Sequence, residues 1–376
     1  MDSERARTWA STMAGHGTGE RPLRRAHAAA GCKVGPLDRP WHRLEKEEHE
    51  ALHLAAGATR ARGAGDRAVS EPPDATRTCF ERDRDRILHA TAFRRLAGKT
   101  QVFVFPDDHQ RTRMTHAIEV AQVATSIAAA LRLNVALTEA IALGHDCGHG
   151  PGGHASEDAL DPYVEEGYDH AVWGADVVLV PLNLCRETLD GIRNHSWSRP
   201  VPATPEAEVV SWADRIAYVC HDFEDAVSAG LVGPSDLPGV VRRHCGEARR
   251  EQLAAFIAAV VAATAAHGEI GMDEETAEAL AAFRRFNYEQ IYLRPSSVQQ
   301  GERVIRLLRA LVEHYAANPR LLPPSRLADR EAGSTDAYRE AVTYVGGMTD
   351  RFACAQAVAL LGYPEADLPL GFDVRR

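Results

Sequence analysis

The sequence predicts an all-α fold, one large helical domain over residues 77–361, on three observations. Apolar side chains recur at steps of three and four along most of that span, the spacing that lines one face of a helix. Runs that alternate with period two are scarce. Residues 102–105 are the best of them, and they read equally well as an extended linker. No internal repeat of the kind that builds a solenoid is present.

Each element follows from its own residues. Residues 1–76 are rich in Ala, Arg, Gly and charge, carry the turn-formers Gly57, Gly63, Gly65, Pro72 and Pro73, and hold no sustained period. They are expected to form a disordered or loosely attached extension. His116, Val120, Ala124, Ile127 and Leu131 then predict a helix with a histidine on its buried stripe. A second helix over about residues 135–146 carries Leu137, Ile141 and His145 in one row, and a third over about 206–228 carries Val210, Asp214, Tyr218 and Asp222. Further helices are predicted at about 247–267, 274–292, 297–316 and 336–361, with 362–376 as a tail.

Composition bounds the function. The 376 residues are 45% hydrophobic, enough for a sizeable core, and no apolar run reaches the roughly 20 residues that cross a bilayer. The first thirty residues lack the apolar core of a signal peptide, so a soluble, cytoplasmic protein without a membrane partner is expected. Seven scattered cysteines with no C-x-x-C pair indicate reduced thiols. The net charge of -10 argues against nonspecific adhesion to nucleic acid. Locally, Arg82, Arg84, Arg86, Arg94, Arg95, Lys99 and Arg111 between Arg77 and Arg113 outnumber Glu81, Asp83, Asp85, Asp107 and Asp108, offering a docking place for a small polyanion.

The densest chemistry lies at His145-Asp146-Cys147-Gly148-His149-Gly150-Pro151-Gly152-Gly153-His154. Neutral imidazole and carboxylate together suit divalent cations of intermediate hardness. A lone buried His116 is ordinarily a hydrogen-bonded core residue, and an unpaired carboxylate on the inward stripe of the third helix would cost several kcal/mol. Taken together, His116, His145, Asp146 and Asp214 form a ligand set drawn from three helices. The spacing does not suit a zinc protease, which needs a continuous helix with a glutamate after the first histidine, and no Walker-type G-K-[ST] follows Gly153.

The runs Arg113-Met114-Thr115-His116, Gly144-His145-Asp146, Gly148-His149-Gly150-Pro151, Gly153-His154-Ala155-Ser156-Glu157 and Ala213-Asp214-Arg215-Ile216-Ala217-Tyr218 resemble the H...HD...D signature of the HD superfamily. Within it, the chain is most similar to the bacterial dGTPase-like deoxynucleoside triphosphate triphosphohydrolases. The segments 93–103 and 347–351 extend the likeness from about Arg82 to about Leu361.

The resemblance implies an HD-domain helical bundle with additional C-terminal helices. It also implies metal-dependent hydrolysis of dGTP or another dNTP to deoxynucleoside and inorganic triphosphate. The implied ligands are His116, His145, Asp146 and Asp214, and the ion is Mn²⁺ or Mg²⁺ first, with Fe, Co or Ni as alternatives. His149 and His170 match positions for proton transfer to the leaving 5' oxygen, and Glu157 a position that orients a catalytic histidine. Arg113 and Arg215 are expected at the phosphates, and Tyr218 and Asp222 at the deoxyribose. The resemblance implies a homo-oligomer and admits a dNTP activator, and the arginine-rich segment between Arg77 and Arg113 admits single-stranded nucleic acid as a further partner. Rival readings are an HD-type nucleotide phosphatase or phosphodiesterase, a nucleotide sensor without turnover, and a single-stranded nucleic-acid-binding protein.

Cys147, Gly150 and Gly152 depart from the family loop, which commonly has leucine, proline and an aromatic there. With Gly148 and Gly153 alongside, a loop mobile until ligand arrives is expected, and Cys147 is read as a small buried filler rather than a soft ligand.

Overall fold

The computed structural model describes residues 3–11, 14–17, 23–29, 33–106, 109–323 and 330–370. Cys32, Asp107, Asp108 and the last six residues of the tail lie outside them. The chain divides into two units, Met1–Trp41 and His42–Arg376. The first holds a helix, Glu4–Ser11, with no buried side chain, and a short antiparallel pair, His16–Gly17 with Arg24–Arg25. The second is all-α, and among its described residues no helix is long and apolar enough to cross a membrane.

Three helices build its centre: Arg113–Ala130, Val135–Gly144 and Pro205–Ser228. Their starts are set by local chemistry. The Asn134 side chain accepts from Leu137 N at 3.2 Å, and Thr204, followed by a proline at the first helical position, accepts from Ala207 N at 3.2 Å. The apolar stripes read from the sequence meet here: Val120, Ile127, Leu137, Ile141, Val210 and Ala217 are fully buried. A second core joins the helices Pro295–Ala317 and Thr335–Gly346 through Leu307, Leu308, Leu311, Val342 and Val345, packed with Leu160 and Trp173.

The structure differs from the sequence-based reading in four places. Residues 42–76, expected as part of a loose extension, belong to the folded unit. They open with the helix Arg43–His53 and are fastened by buried polar contacts rather than by an apolar period. The fully buried Glu206 accepts from Thr59 N (3.0 Å), Thr59 Oγ1 (2.7 Å) and Asn134 N (2.9 Å), while Arg67 pairs with the fully buried Asp83 at 2.6 Å. The helix expected over 336–361 is two helices, Thr335–Gly346 and Asp350–Leu361, because Thr349 caps the second by accepting from Phe352 N at 3.4 Å. The described part of the tail returns to the body, with Arg303 donating to the Leu368 carbonyl at 2.7 Å. Residues 102–105 form bends rather than a strand.

The arginines of the 77–113 segment are largely engaged within the protein. Arg77 pairs with Asp74 and Asp85, Arg82 and Arg86 with Glu71, and Arg111 with Glu119, Glu224 and Asp225. Most of these acids lie outside the segment, so counting charge within it overstates what is left for a polyanion.

Candidate active site

The Val135–Gly144 helix stops at Gly144, and His145 and Asp146 follow in a turn at the buried centre of the unit. His145 Nδ1 lies 2.6 Å from the Ala142 carbonyl. That contact places the proton on Nδ1 and leaves the lone pair on Nε2, the tautomer that a metal ligand needs. Nε2 of His145 is buried without a hydrogen-bond partner, 3.5 Å from Asp146 Oδ1 and 3.7 Å from Asp214 Oδ1. His116, from the neighbouring helix, turns Nε2 to within 3.1 Å of Asp214 Oδ1 and 3.9 Å of Asp146 Oδ2. The four side chains named from the sequence are therefore brought together, and His116, His145 and Asp214 offer donor atoms all within 4.8 Å of one another. A vacant imidazole lone pair facing two carboxylates fits a divalent cation, and with none bound it would be a buried acceptor left unpaired.

Burial alone would raise the carboxyl of Asp146, but Arg113 and the surrounding histidines hold it well below the usual range. Asp214 is lowered likewise, against burial, by His116 and His145. Both are carboxylates at neutral pH. Arg113, expected at the phosphates, is only 1% exposed and donates from Nη1 to Asp146 Oδ2 at 2.7 Å, so its first task is to hold that carboxylate.

The histidine-rich loop folds over this centre. His149 Nε2 lies 3.2 Å from Asp146 Oδ1, and the ring stacks on His170 with centroids 3.8 Å apart. Burial and the Arg113 charge push His149 far below its ordinary value and His154 down to about 4. His170, at the start of the His170–Trp173 turn, has the opposite balance: burial lowers it, but the Glu157 carboxylate, 2.7 Å from Nδ1, outweighs that and raises it. Two stacked imidazoles are thus driven apart in proton affinity by their different neighbours.

The loop glycines permit close approach. A Cβ at Gly148 would stand 2.0 Å from the His170 carbonyl oxygen, and Gly152, at φ 76°, leaves no room beside Val304. Two buried groups clamp the same loop: Lys99 Nζ donates to the His149 and Gly346 carbonyls, and Asp350 accepts from Gly152 N at 2.8 Å and from Thr100 Oγ1 at 2.6 Å. Cys147 is buried, with its thiol pushed up to about 12 by that burial, as befits a filler.

A cavity of about 450 Å³ opens beside the His/Asp cluster, and Arg215, Tyr218, Asp222, Arg284 and Tyr292 line its wall. Tyr292 donates to Asp222 Oδ2 at 2.5 Å, and Arg284 Nε donates to the Tyr218 oxygen at 2.5 Å. Burial lifts Asp222 to about 7, against the pull of the Tyr292 bond, and its Oδ1 has no partner. Sequence reading gave no role to His195. It ends the Arg186–Arg193 helix much as His145 ends its own, with Nδ1 2.8 Å from the Ile192 carbonyl and Nε2 3.3 Å from His170 Nε2. Its signal was a histidine just past a strongly amphipathic helix. Lys99 and Arg284 gave none, because their partners are remote in sequence.

Residues 113–219 match the HD domain model, and residues 270–358 match the phosphohydrolase-associated domain model. Relatives that carry the name deoxyguanosinetriphosphate triphosphohydrolase-like protein include the following three. The one from Caldanaerobacter subterraneus is 39% identical over 86% of this chain and 95% of its own length. That from Clostridium perfringens is 38% identical over 75% of this chain and 86% of its own. That from Ralstonia nicotianae is 35% identical over 80% and 92%.

Proposed function

The chain belongs to the family of HD-domain, deoxyguanosinetriphosphate triphosphohydrolase-like phosphohydrolases, and we propose that it hydrolyses a deoxynucleoside triphosphate to deoxynucleoside and inorganic triphosphate. The observation that carries this reading is the junction of two features: the His116, His145, Asp146 and Asp214 cluster, and a cavity of about 450 Å³ walled by Arg215, Arg284, Tyr218 and Asp222. Those four residues would hold the ion, Mn²⁺ or Mg²⁺. A divalent cation there supplies Lewis acidity at a phosphoryl oxygen and makes water more acidic.

The chain's own groups do the rest. Water adds to the α-phosphorus as the bond to the sugar 5' oxygen breaks; the attacking water releases a proton to solvent, and the 5' oxygen must gain a proton. His170, whose proton affinity the Glu157 carboxylate raises, would supply it, while His149, whose proton affinity burial lowers, would hold Asp146. Arg215 and Arg284, neither paired with a carboxylate among the described residues, offer charge to the polyphosphate. Asp222 Oδ1 is an acceptor for a sugar hydroxyl, and the Tyr218 and Tyr292 rings beside it leave little space for a second one.

The test is to incubate the purified protein with each dNTP, singly and in mixtures, with Mn²⁺ or Mg²⁺, and to resolve the products. Inorganic triphosphate supports the proposal. Orthophosphate from a monophosphate, or a cleaved diester, would instead identify a phosphatase or phosphodiesterase using the same cluster.

A further inference from the structure

Arg215 and Trp197 form the most unusual contact at the cavity. The Arg215 guanidinium carbon lies 3.6 Å from the centroid of the Trp197 ring, over its face. Arg215 follows Asp214 directly on the Pro205–Ser228 helix and lines the cavity, yet its Nε is buried with no hydrogen-bond partner. Among the described residues no carboxylate forms an ion pair with it; the charges it feels are those of the like-charged Arg284 and of Asp214, the residue before it. A half-buried arginine usually acquires an acid. Here an indole takes that place.

Trp197 is itself held. It stands on the loop after His195, its Nε1 donates to the Ser211 carbonyl at 3.1 Å, and Trp212 meets it edge to face at 4.8 Å. The residue is nevertheless 48% exposed, so burial is not what fixes it there.

We propose that Trp197 is a positioning residue for Arg215: its ring face aims the guanidinium into the cavity without neutralising it, so that the full charge remains for the polyphosphate of the substrate. A carboxylate in the same place would fix the side chain equally well, but it would cancel the charge and repel a polyanion. A π face attracts the cation through its quadrupole and carries no net charge. It also leaves the in-plane N–H donors of the fork free for phosphate oxygens. This rests on the triphosphate reading above, and the probe is chosen so that the two can fail separately.

The probe is inorganic tripolyphosphate, whose binding is measured by calorimetry on the full chain, alongside dNTP kinetics. Trp197→Phe keeps a π face, whereas Trp197→Leu keeps apolar bulk only. The expected result is a loss of about tenfold in tripolyphosphate affinity for Trp197→Leu and less than about threefold for Trp197→Phe. In turnover, the loss should fall on KM with kcat within about twofold. Combining Trp197→Leu with Arg215→Gln should cost no more than Arg215→Gln alone, because both remove one interaction.

Equal affinities for the Leu and Phe variants, or additive losses in the double variant, would overturn the proposal. Should Trp197→Leu fail to fold, the wild-type indole gives the answer. Tripolyphosphate should change tryptophan emission by an amount missing from both Trp197→Phe and Arg215→Gln, and an unaltered signal in Arg215→Gln would overturn it. Tight tripolyphosphate binding with no dNTP turnover would count against the proposed reaction while leaving this role intact.

Discussion

Oε1 of Glu157 lies 2.7 Å from Nδ1 of His170 and accepts from the backbone N–H of the same residue at 2.9 Å. One carboxylate oxygen therefore fixes both the ring and the start of its helical turn. Nδ1–H donates to that carboxylate, Nε2 points toward Asp146 Oδ1 at 3.8 Å, and the carboxylate raises the proton affinity of the imidazole against the effect of burial. Replacing Glu157 with Gln keeps the size and removes the charge. The variant should lose about 10- to 100-fold in kcat with KM within about twofold, measured by steady-state kinetics on the dNTP substrate. Unchanged kcat would reduce Glu157 to an acid in the first turn of its helix.

Asp350 joins two segments far apart in sequence at the histidine-rich loop. It accepts from Thr100 N at 2.8 Å and Gly152 N at 2.8 Å, and it is 6% exposed. Asp350→Ala strands buried donors in both segments, so it should cost about 3 kcal/mol in urea unfolding, where each buried group left unpaired costs about 1–3 kcal/mol. It should also lower kcat by releasing the loop that carries His149. A variant as stable as the wild type would show that water or backbone shifts replace these bonds.

Much of the site was legible because it lies on helices with apolar periodicity. His116 and His145 are buried and Asp214 is half-buried, each on a helical row with apolar neighbours, and the three come together. What the sequence hid depends on contacts between remote residues. Lys99 meets Gly346, and Thr59 meets Glu206, through hydrogen bonds that leave no period. The attachment of residues 42–76 was missed for the same reason: its fasteners are polar. The break before Asp350 lies at Gly346-Gly347, where the first helix ends, and at Thr349, which caps the second, inside a span whose apolar residues recur on both sides.

Glu71 reports on that attachment. Hydrogen bonds from Arg86 and Asn183 lower its carboxyl from 4.5 to about 2, with the Arg86 and Arg82 charges assisting. Between those values the unfolded chain binds the extra proton, so the Glu71 contribution is complete above about pH 4.5 and is lost as pH falls toward 2. The side chain is 24% exposed, which screens the size of the effect but not its sign. In urea titrations across this range, the stability gap between wild type and Glu71→Gln should shrink steadily with acid. A constant gap would mean that these residues are not held by this carboxylate.

The claim on which the reaction depends is that His116, His145, Asp146 and Asp214 hold one divalent ion. Mn²⁺ titration of the metal-free protein, followed by electron paramagnetic resonance, measures this directly. The account predicts saturable binding by the wild type and a loss of about 100-fold or more in affinity for His145→Ala, whose Nε2 has no other partner, in a protein that still folds. Equal Mn²⁺ affinity in wild type and His145→Ala would contradict it.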